Sequence, residues 1–168
     1  MPTTLDSLAR DCRQALGRDA TPTGRQQVVA HLRAALRDPA FVAAQFGPGA
    51  PERRVLYEDA ELGFCIVAHA YTDAKEGAPH DHGPSWAIYG QAQGETLMTD
   101  FAAVEPATPE RCGKARPTRS YALRPGDAHL YNEGDLHAPT RQQPTRLIRI
   151  EGVNMDRVRR LKWEVAEA

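Results

Sequence analysis

The sequence has little cysteine, almost no net charge and no long apolar run, and each shortage excludes a class of protein. Among 168 residues the only cysteines are Cys12, Cys65 and Cys112, and no two of them have CxxC spacing. A disulfide framework and a cysteine-based zinc site are therefore not expected. The formal net charge is -1, which gives no reason to expect a nucleic-acid partner or attraction to an anionic membrane.

No stretch approaches the roughly 18 consecutive apolar residues that a transmembrane helix needs. The N-terminus lacks the apolar core of a secretory signal peptide. We therefore expect a cytoplasmic protein with no membrane partner. A length of 168 residues, with 41% hydrophobic and 26% charged residues, predicts one globular domain with a sizeable core.

The first 50 residues have helical periodicity. Leu5, Leu8, Cys12 and Leu16 recur at the spacing of one helix face, and Gly17 follows as a stop. A second helix is predicted after Thr21-Pro22-Thr23, and a short third one after Pro39. Residues 1–50 are therefore expected to form a helical cap packed on a core of another kind.

From about residue 51 the pattern changes to short apolar or alternating runs separated by turn residues. These runs cover residues 55–57, 64–71, 85–93, 95–101, 119–123, 128–131, 136–140 and 146–151. Many short strands at such spacing are typical of a jelly-roll barrel or sandwich. We predict a mainly β domain over 51–154, a loop over 105–117, and a C-terminal helix over 155–165 in a tail of residues 155–168.

The tripeptide His80-Asp81-His82 is the strongest candidate for chemistry. Residues i and i+2 of an extended strand point to the same side, so both imidazoles can reach one point. Imidazoles that converge in this way bind iron, zinc, nickel or copper. The pair predicts a metal site inside the barrel.

These residues resemble the first motif of the cupin superfamily, which has His-x-His, three or four residues, usually a glutamate, and a glycine after six more. Here His80 and His82 are followed at the corresponding positions by Ala87 and Gly94. The resemblance implies a single-domain cupin jelly roll, also called a double-stranded β-helix. Cupins often dimerise through strand edges, so the resemblance allows for a homodimer.

Within the cupins the chain is most similar to the cysteine dioxygenase group, whose iron is held by three histidines. The group's metal motif follows a small turn, as in Ala78-Pro79-His80-Asp81-His82. Its third histidine ends a pattern similar to Tyr131-Asn132-Glu133-Gly134-Asp135-Leu136-His137. The resemblance favours His137 as third ligand. His129, which follows Pro125-Gly126, fits the general cupin spacing and stays as the alternative.

The resemblance implies a non-haem Fe(II) dioxygenase that oxidises a small thiol, or another small carboxylate-bearing substrate, with O₂. Imidazole also suits other metals, so Zn, Ni or Mn stays open. Two features depart from the group: Ala87 stands where a crosslinking cysteine is frequent, and Glu151 lies near the position of its tyrosine partner. A non-oxidative metal cupin (isomerase, lyase or hydrolase) and a ligand-binding cupin without turnover therefore stay as alternatives.

Several further residues are candidates around the metal. Arg54 best matches the arginine that binds the substrate carboxylate in the group. Any one of Arg53, Arg54, Arg141 and Arg146 that faced inward would select an anion. Candidates for the pocket lining are Trp86, Tyr89 and Tyr131. Ligand histidines pass their second N–H to an acceptor, and Asp81, Asp135 and Glu151 are the candidates for that role.

Overall fold

Three helices precede the strands in the computed structural model, which describes residues 2–167. They are α1 (Leu5–Arg18), α2 (Pro22–Leu36) and α3 (Pro39–Gln45). Thr4 and Ser7 form a reciprocal capping box at the start of α1. The Asp38 side chain accepts from the first free N–H groups of α3. The predicted helices are confirmed. Among residues 2–167 no helix is long and apolar enough to cross a membrane.

Within residues 2–167, ten strands form two five-stranded sheets, β1-β2-β9-β4-β7 and β10-β6-β5-β8-β3. The strands are β1 (Arg54–Glu58), β2 (Cys65–Tyr71), β3 (Lys75–Glu76), β4 (Ala87–Gln93), β5 (Thr96–Glu105), β6 (Gly113–Leu123), β7 (Ala128–Tyr131), β8 (Leu136–Arg141), β9 (Thr145–Glu151) and β10 (Trp163–Val165). Strand content is 38% against 23% helix. The predicted mainly β jelly-roll fold is confirmed.

The helices cover the outer face of the first sheet. Strand alternation sends Ile88, Ile148 and Ile150 to that face, where they join a buried apolar cluster with the helices. A side chain at Gly90 would lie 2.7 Å from the Leu32 side chain of α2, so glycine there permits the close approach of helix and sheet. The opposite face of the same strands therefore points into the barrel, where the candidate site lies.

Two expectations about the second half of the chain are wrong. The predicted loop over 105–117 is shorter, because β5 continues to Glu105 and β6 begins at Gly113. The predicted C-terminal helix is absent: Met155–Arg157 forms one 3₁₀ turn, and β10 pairs in parallel with β6. Gly113 explains the pairing, since its missing side chain makes room for the Trp163 ring. The division of the chain at residues 50 and 154 stays a prediction.

Candidate metal centre

The structure brings together the side chains of His80, His82 and His137. His80 and His137 are bridged by two backbone hydrogen bonds, from His80 N to His137 O (3.0 Å) and from His137 N to His80 O (2.9 Å). His82 lies two residues beyond His80, and its carbonyl accepts from Ser85 N in the turn that leads to β4. Two segments distant in sequence thereby present three imidazoles to one point.

Each imidazole offers one nitrogen as a possible metal ligand, and these three nitrogens all lie within 4.8 Å of one another. The Nε2 atoms of His82 and His137 are 3.3 Å apart. Nitrogen ligands of one metal, each about 2.0–2.1 Å from it, have separations of this size. The three-histidine group can hold a metal ion.

Backbone carbonyls fix the orientation of two of these rings. His80 Nδ1 donates to Ala78 O at 2.9 Å, and His137 Nδ1 donates to Asp135 O at 2.9 Å. A carbonyl oxygen only accepts, so each Nδ1 carries the proton and each Nε2 presents a lone pair to the centre. Such outer hydrogen bonds are the usual way in which proteins orient metal-binding histidines.

Burial keeps the imidazoles neutral. It lowers the pKa of His80 to about 4, and it also lowers the pKa values of His82 and His137 well below the usual histidine range. The positive charge of Arg149 acts in the same direction on all three. Neutral imidazole is the form that binds metals, so at neutral pH the site is ready to accept a cation.

The Tyr89 hydroxyl lies among the three imidazoles. Its oxygen is 3.2 Å from His80 Nε2, 3.1 Å from His82 Nε2 and 3.2 Å from His137 Nε2. The tyrosine is fully buried, and the Arg149 guanidinium lies 4.1 Å from the centre of its ring. We predicted Tyr89 for the pocket lining; the structure places its oxygen within hydrogen-bond distance of all three Nε2 atoms.

A cavity of about 630 Å³ opens beside His80. Its basic lining residues are Lys75, Arg141, Arg149, Arg160 and Lys162, against the single acidic residue Glu164. Arg141 is only 3% exposed, and its Nε and Nη2 have no hydrogen-bond partner among the described residues. The cavity therefore carries positive charge, and part of that charge is unpaired.

Three of the predicted substrate residues lie elsewhere or turn their polar groups away. Arg54 is on β1, where its Nη2 donates to Gln45 O at the end of α3, so it does not lie at the centre. Trp86 belongs to the cluster under the helices and faces the Arg25 guanidinium. Tyr131 stacks on His137 with ring centres 3.8 Å apart, but its hydroxyl is 2.5 Å from that of Tyr121.

The acidic side chains predicted to orient the histidines do not contact them. The Asp81 carboxylate accepts from Gly83 N, and that of Asp135 accepts from Asn132 N. Asp135 still orients His137, but through its backbone carbonyl. Glu151 forms ion pairs with Arg53 and Arg149.

His129, the alternative third ligand, does not join the three-histidine group. Its ring packs against Tyr131 and Tyr121, with centroid distances of 4.6 and 5.0 Å. It lines a separate cavity of about 250 Å³ together with Asp100 and Arg119. Of the two candidates, the structure places only His137 beside His80 and His82.

Sequence reasoning missed Arg149 and the outer carbonyl of Ala78. A signal for Arg149 was present: in β9 the apolar Ile148 and Ile150 share one face, so Arg149 must lie on the other, inside the barrel. The sequence holds no signal for the Ala78 carbonyl, because every residue has a backbone carbonyl.

No protein-family model matches this sequence, and no curated protein matches it. Similar solved structures are cupin-superfamily proteins. KdgF from Halomonas sp. is 17% identical, with a TM-score of 0.45 over 59% of this chain and 74% of that one. A cupin superfamily protein from Desulfitobacterium hafniense DCB-2 is 14% identical, with a TM-score of 0.46 over 65% and 83%. An oxalate oxidase is 15% identical, with a TM-score of 0.43 over 64% and 55%. These values assign this chain neither an activity nor a substrate.

Proposed function

We propose that this chain is a metal-dependent enzyme that acts on a small anionic substrate, with His80, His82 and His137 as the metal ligands. The observation that carries the proposal is the convergence of three neutral imidazoles beside a cavity lined by the buried Arg141 and the partly buried Arg149. The imidazoles supply the donors that a transition metal needs. The arginines supply a place for a negative charge next to it.

The unpaired guanidinium of Arg141 favours a carboxylate-bearing substrate. A buried charge without a partner is costly, and a carboxylate is the anion whose geometry a guanidinium matches best. Arg149, whose Nε also lacks a partner, adds a second positive charge in the same cavity. This pair takes the role that we expected of Arg54.

The resemblance to the three-histidine thiol dioxygenases supports Fe(II) as the metal and O₂ as the co-substrate. An Fe(II) ion held by His80, His82 and His137 would activate O₂, and the electrons that reduce O₂ would come from the sulfur of the substrate. The residues of the chain orient the substrate: Arg141 and Arg149 bind its carboxylate and turn its other end toward His80. A small thiol acid is the substrate that the resemblance favours.

The test combines metal analysis with oxygen uptake. We expect iron in the purified protein, and O₂ consumption with one member of a panel that contains cysteine, mercaptopropionate and the same acids without sulfur. His82→Ala, prepared in parallel, should lose both iron and O₂ consumption. If iron-loaded protein consumes no O₂ with any member of the panel, the dioxygenase proposal is wrong.

A second candidate is a non-oxidative cupin that uses Zn, Ni or Mn. The Tyr89 oxygen beside all three Nε2 atoms favours it, since a fourth donor suits a metal that acts without binding O₂. Turnover in anaerobic buffer with zinc would distinguish it from the dioxygenase. A ligand recovered unchanged would instead indicate a binding protein. The cytoplasmic location and the homodimer stay predictions.

A further inference from the structure

The hydroxyl of Tyr89 and the three histidine nitrogens form a compact group of four donor atoms. The separations between Tyr89 Oη and the nitrogens are 3.1–3.2 Å, and the Nε2 atoms of His82 and His137 are 3.3 Å apart. A tetrahedral centre whose donors lie about 2.0 Å from the metal has edges of about 3.3 Å. Four of the six edges therefore agree with a site for one metal ion with four protein ligands, and the two edges from the His80 nitrogen to the other imidazole nitrogens are at most 4.8 Å.

Two of the three Nε2 atoms can only accept. The Nδ1 atoms of His80 and His137 donate to carbonyls, so their Nε2 atoms carry lone pairs. The phenol has one proton and can donate it to one of them. Without a metal the other can accept only from a protonated His82 Nε2, which lies 3.3 Å from His137 Nε2; a metal ion would instead accept lone pairs from all four atoms.

Strand geometry explains why a tyrosine reaches this point. Ala87 and Tyr89 are two residues apart on β4, so they share the inward face. Ala87, fully buried beside Tyr89 in the interior cluster, carries only a methyl group. It stands where the cupin motif usually has a glutamate, and its small size leaves that volume to the tyrosine.

We infer that Tyr89 is the fourth protein ligand of the metal and binds it through the phenolate oxygen; this inference rests on the proposed metal centre. When the metal binds, the phenol proton is released to solvent and the oxygen lone pair forms the metal–oxygen bond. The Arg149 guanidinium, 4.1 Å from the ring centre, compensates the negative charge of the phenolate.

A phenolate ligand changes what the centre can do. It lowers the net positive charge of the metal site by one and adds a hard oxygen donor to three imidazoles. It also uses one coordination position that a three-histidine site leaves open for substrate. The anionic substrate would then depend more on Arg141 for its binding and less on the metal.

The inference is tested by spectroscopy on the full chain loaded with iron and then oxidised to Fe(III). Wild type should show a visible phenolate-to-iron charge-transfer band. Tyr89→Phe should lose that band. Tyr131→Phe is the matched control, because Tyr131 also contacts His137 but directs its hydroxyl to Tyr121; it should keep the band. Iron-bound wild type without the band, or Tyr89→Phe with the full band, overturns the inference.

A second measurement needs no variant. Zinc added to metal-free wild type at neutral pH should produce the ultraviolet difference spectrum of about one tyrosinate per zinc bound. Zinc that binds fully without this signal overturns Tyr89 ligation and leaves the three-histidine centre intact. Failure of the protein to bind zinc or iron at all instead contradicts the metal centre itself, so the two failures are distinguishable.

Discussion

His80 and His137 pair through their backbones, and their imidazoles also belong to the same three-histidine group. Each donates its N–H to the carbonyl of the other, at 3.0 and 2.9 Å. The bridge sets the positions of two imidazoles without any contribution from their side chains. Replacing one imidazole should therefore remove a ligand and leave the surrounding fold in place.

Because the backbone bridge does not depend on the imidazoles, alanine variants test directly which histidines bind the metal. His137→Ala should lose metal that wild type retains at about one ion per chain after dialysis, since two histidines hold a metal less tightly than three. His129→Ala should retain metal like wild type, because His129 lies outside the three-histidine group. Metal analysis and circular dichroism of both variants provide the measurement. Loss of metal only in the His129 variant would reverse the assignment.

Arg141→Gln should weaken substrate binding and stabilise the free protein. Removing one charge-assisted hydrogen bond of about 1.5–3 kcal/mol lowers kcat/KM roughly 10- to 150-fold for any carboxylate that the protein turns over. The same change removes an unpaired buried charge, so the free energy of unfolding should rise by about 1–3 kcal/mol, less whatever the contact with Tyr71 contributes.

The control for Arg141→Gln is Arg146→Gln, because Arg146 packs against Phe46 and not in the cavity of His80. That variant should leave kcat/KM unchanged. Steady-state kinetics measure kcat/KM of both variants, and denaturant unfolding measures their free energies of unfolding. A large loss of stability in Arg141→Gln with unaltered kinetics would show a structural role instead.

Trp86→Ala should affect stability and leave the metal centre alone. Trp86 is 7% exposed among the residues under the helices, and truncation of a buried tryptophan typically costs about 3–5 kcal/mol. Iron content and kinetics of the folded fraction should match wild type. Urea unfolding measures the first effect, and loss of turnover without loss of stability would mean that Trp86 does face the substrate.

The buried His69 predicts a loss of stability in acid. Burial, reinforced by Arg149, Arg53 and Arg141, holds its pKa far below 6.5 in the folded chain. Below about pH 6.5 the unfolded chain binds a proton that the folded chain does not, so stability falls as the pH decreases.

One such group contributes at most about 1.4 kcal/mol per pH unit. His69→Gln should therefore lose less stability between pH 7 and pH 5 than wild type. Denaturant unfolding at both pH values measures the difference. Equal losses in the two proteins would mean that His69 titrates normally.

The sequence predicted the fold class and the members of the three-histidine group. His80 and His82 followed from their i, i+2 spacing, whereas His137 was favoured over His129 by the resemblance to the thiol dioxygenases. We predicted that Trp86 faces the pocket, but it faces the helices. Neighbouring residues of an extended segment point to opposite sides, and Ala87 is the one that faces inward. Arg141 was named only as one of four arginines, although it lies four residues after His137 in β8 and alternation therefore places both on the same face.

The parallel pairing of β10 with β6 has a consequence for how the molecule can vary. The three histidines and Tyr89 lie between residues 80 and 137, whereas Arg160 to Glu164 supply one wall of the cavity. The wall formed by Arg160 to Glu164 is thus encoded on a different stretch of the chain from the histidine group. Exchanging the segment from residue 158 onward would change that wall of the cavity and leave the histidine group in place.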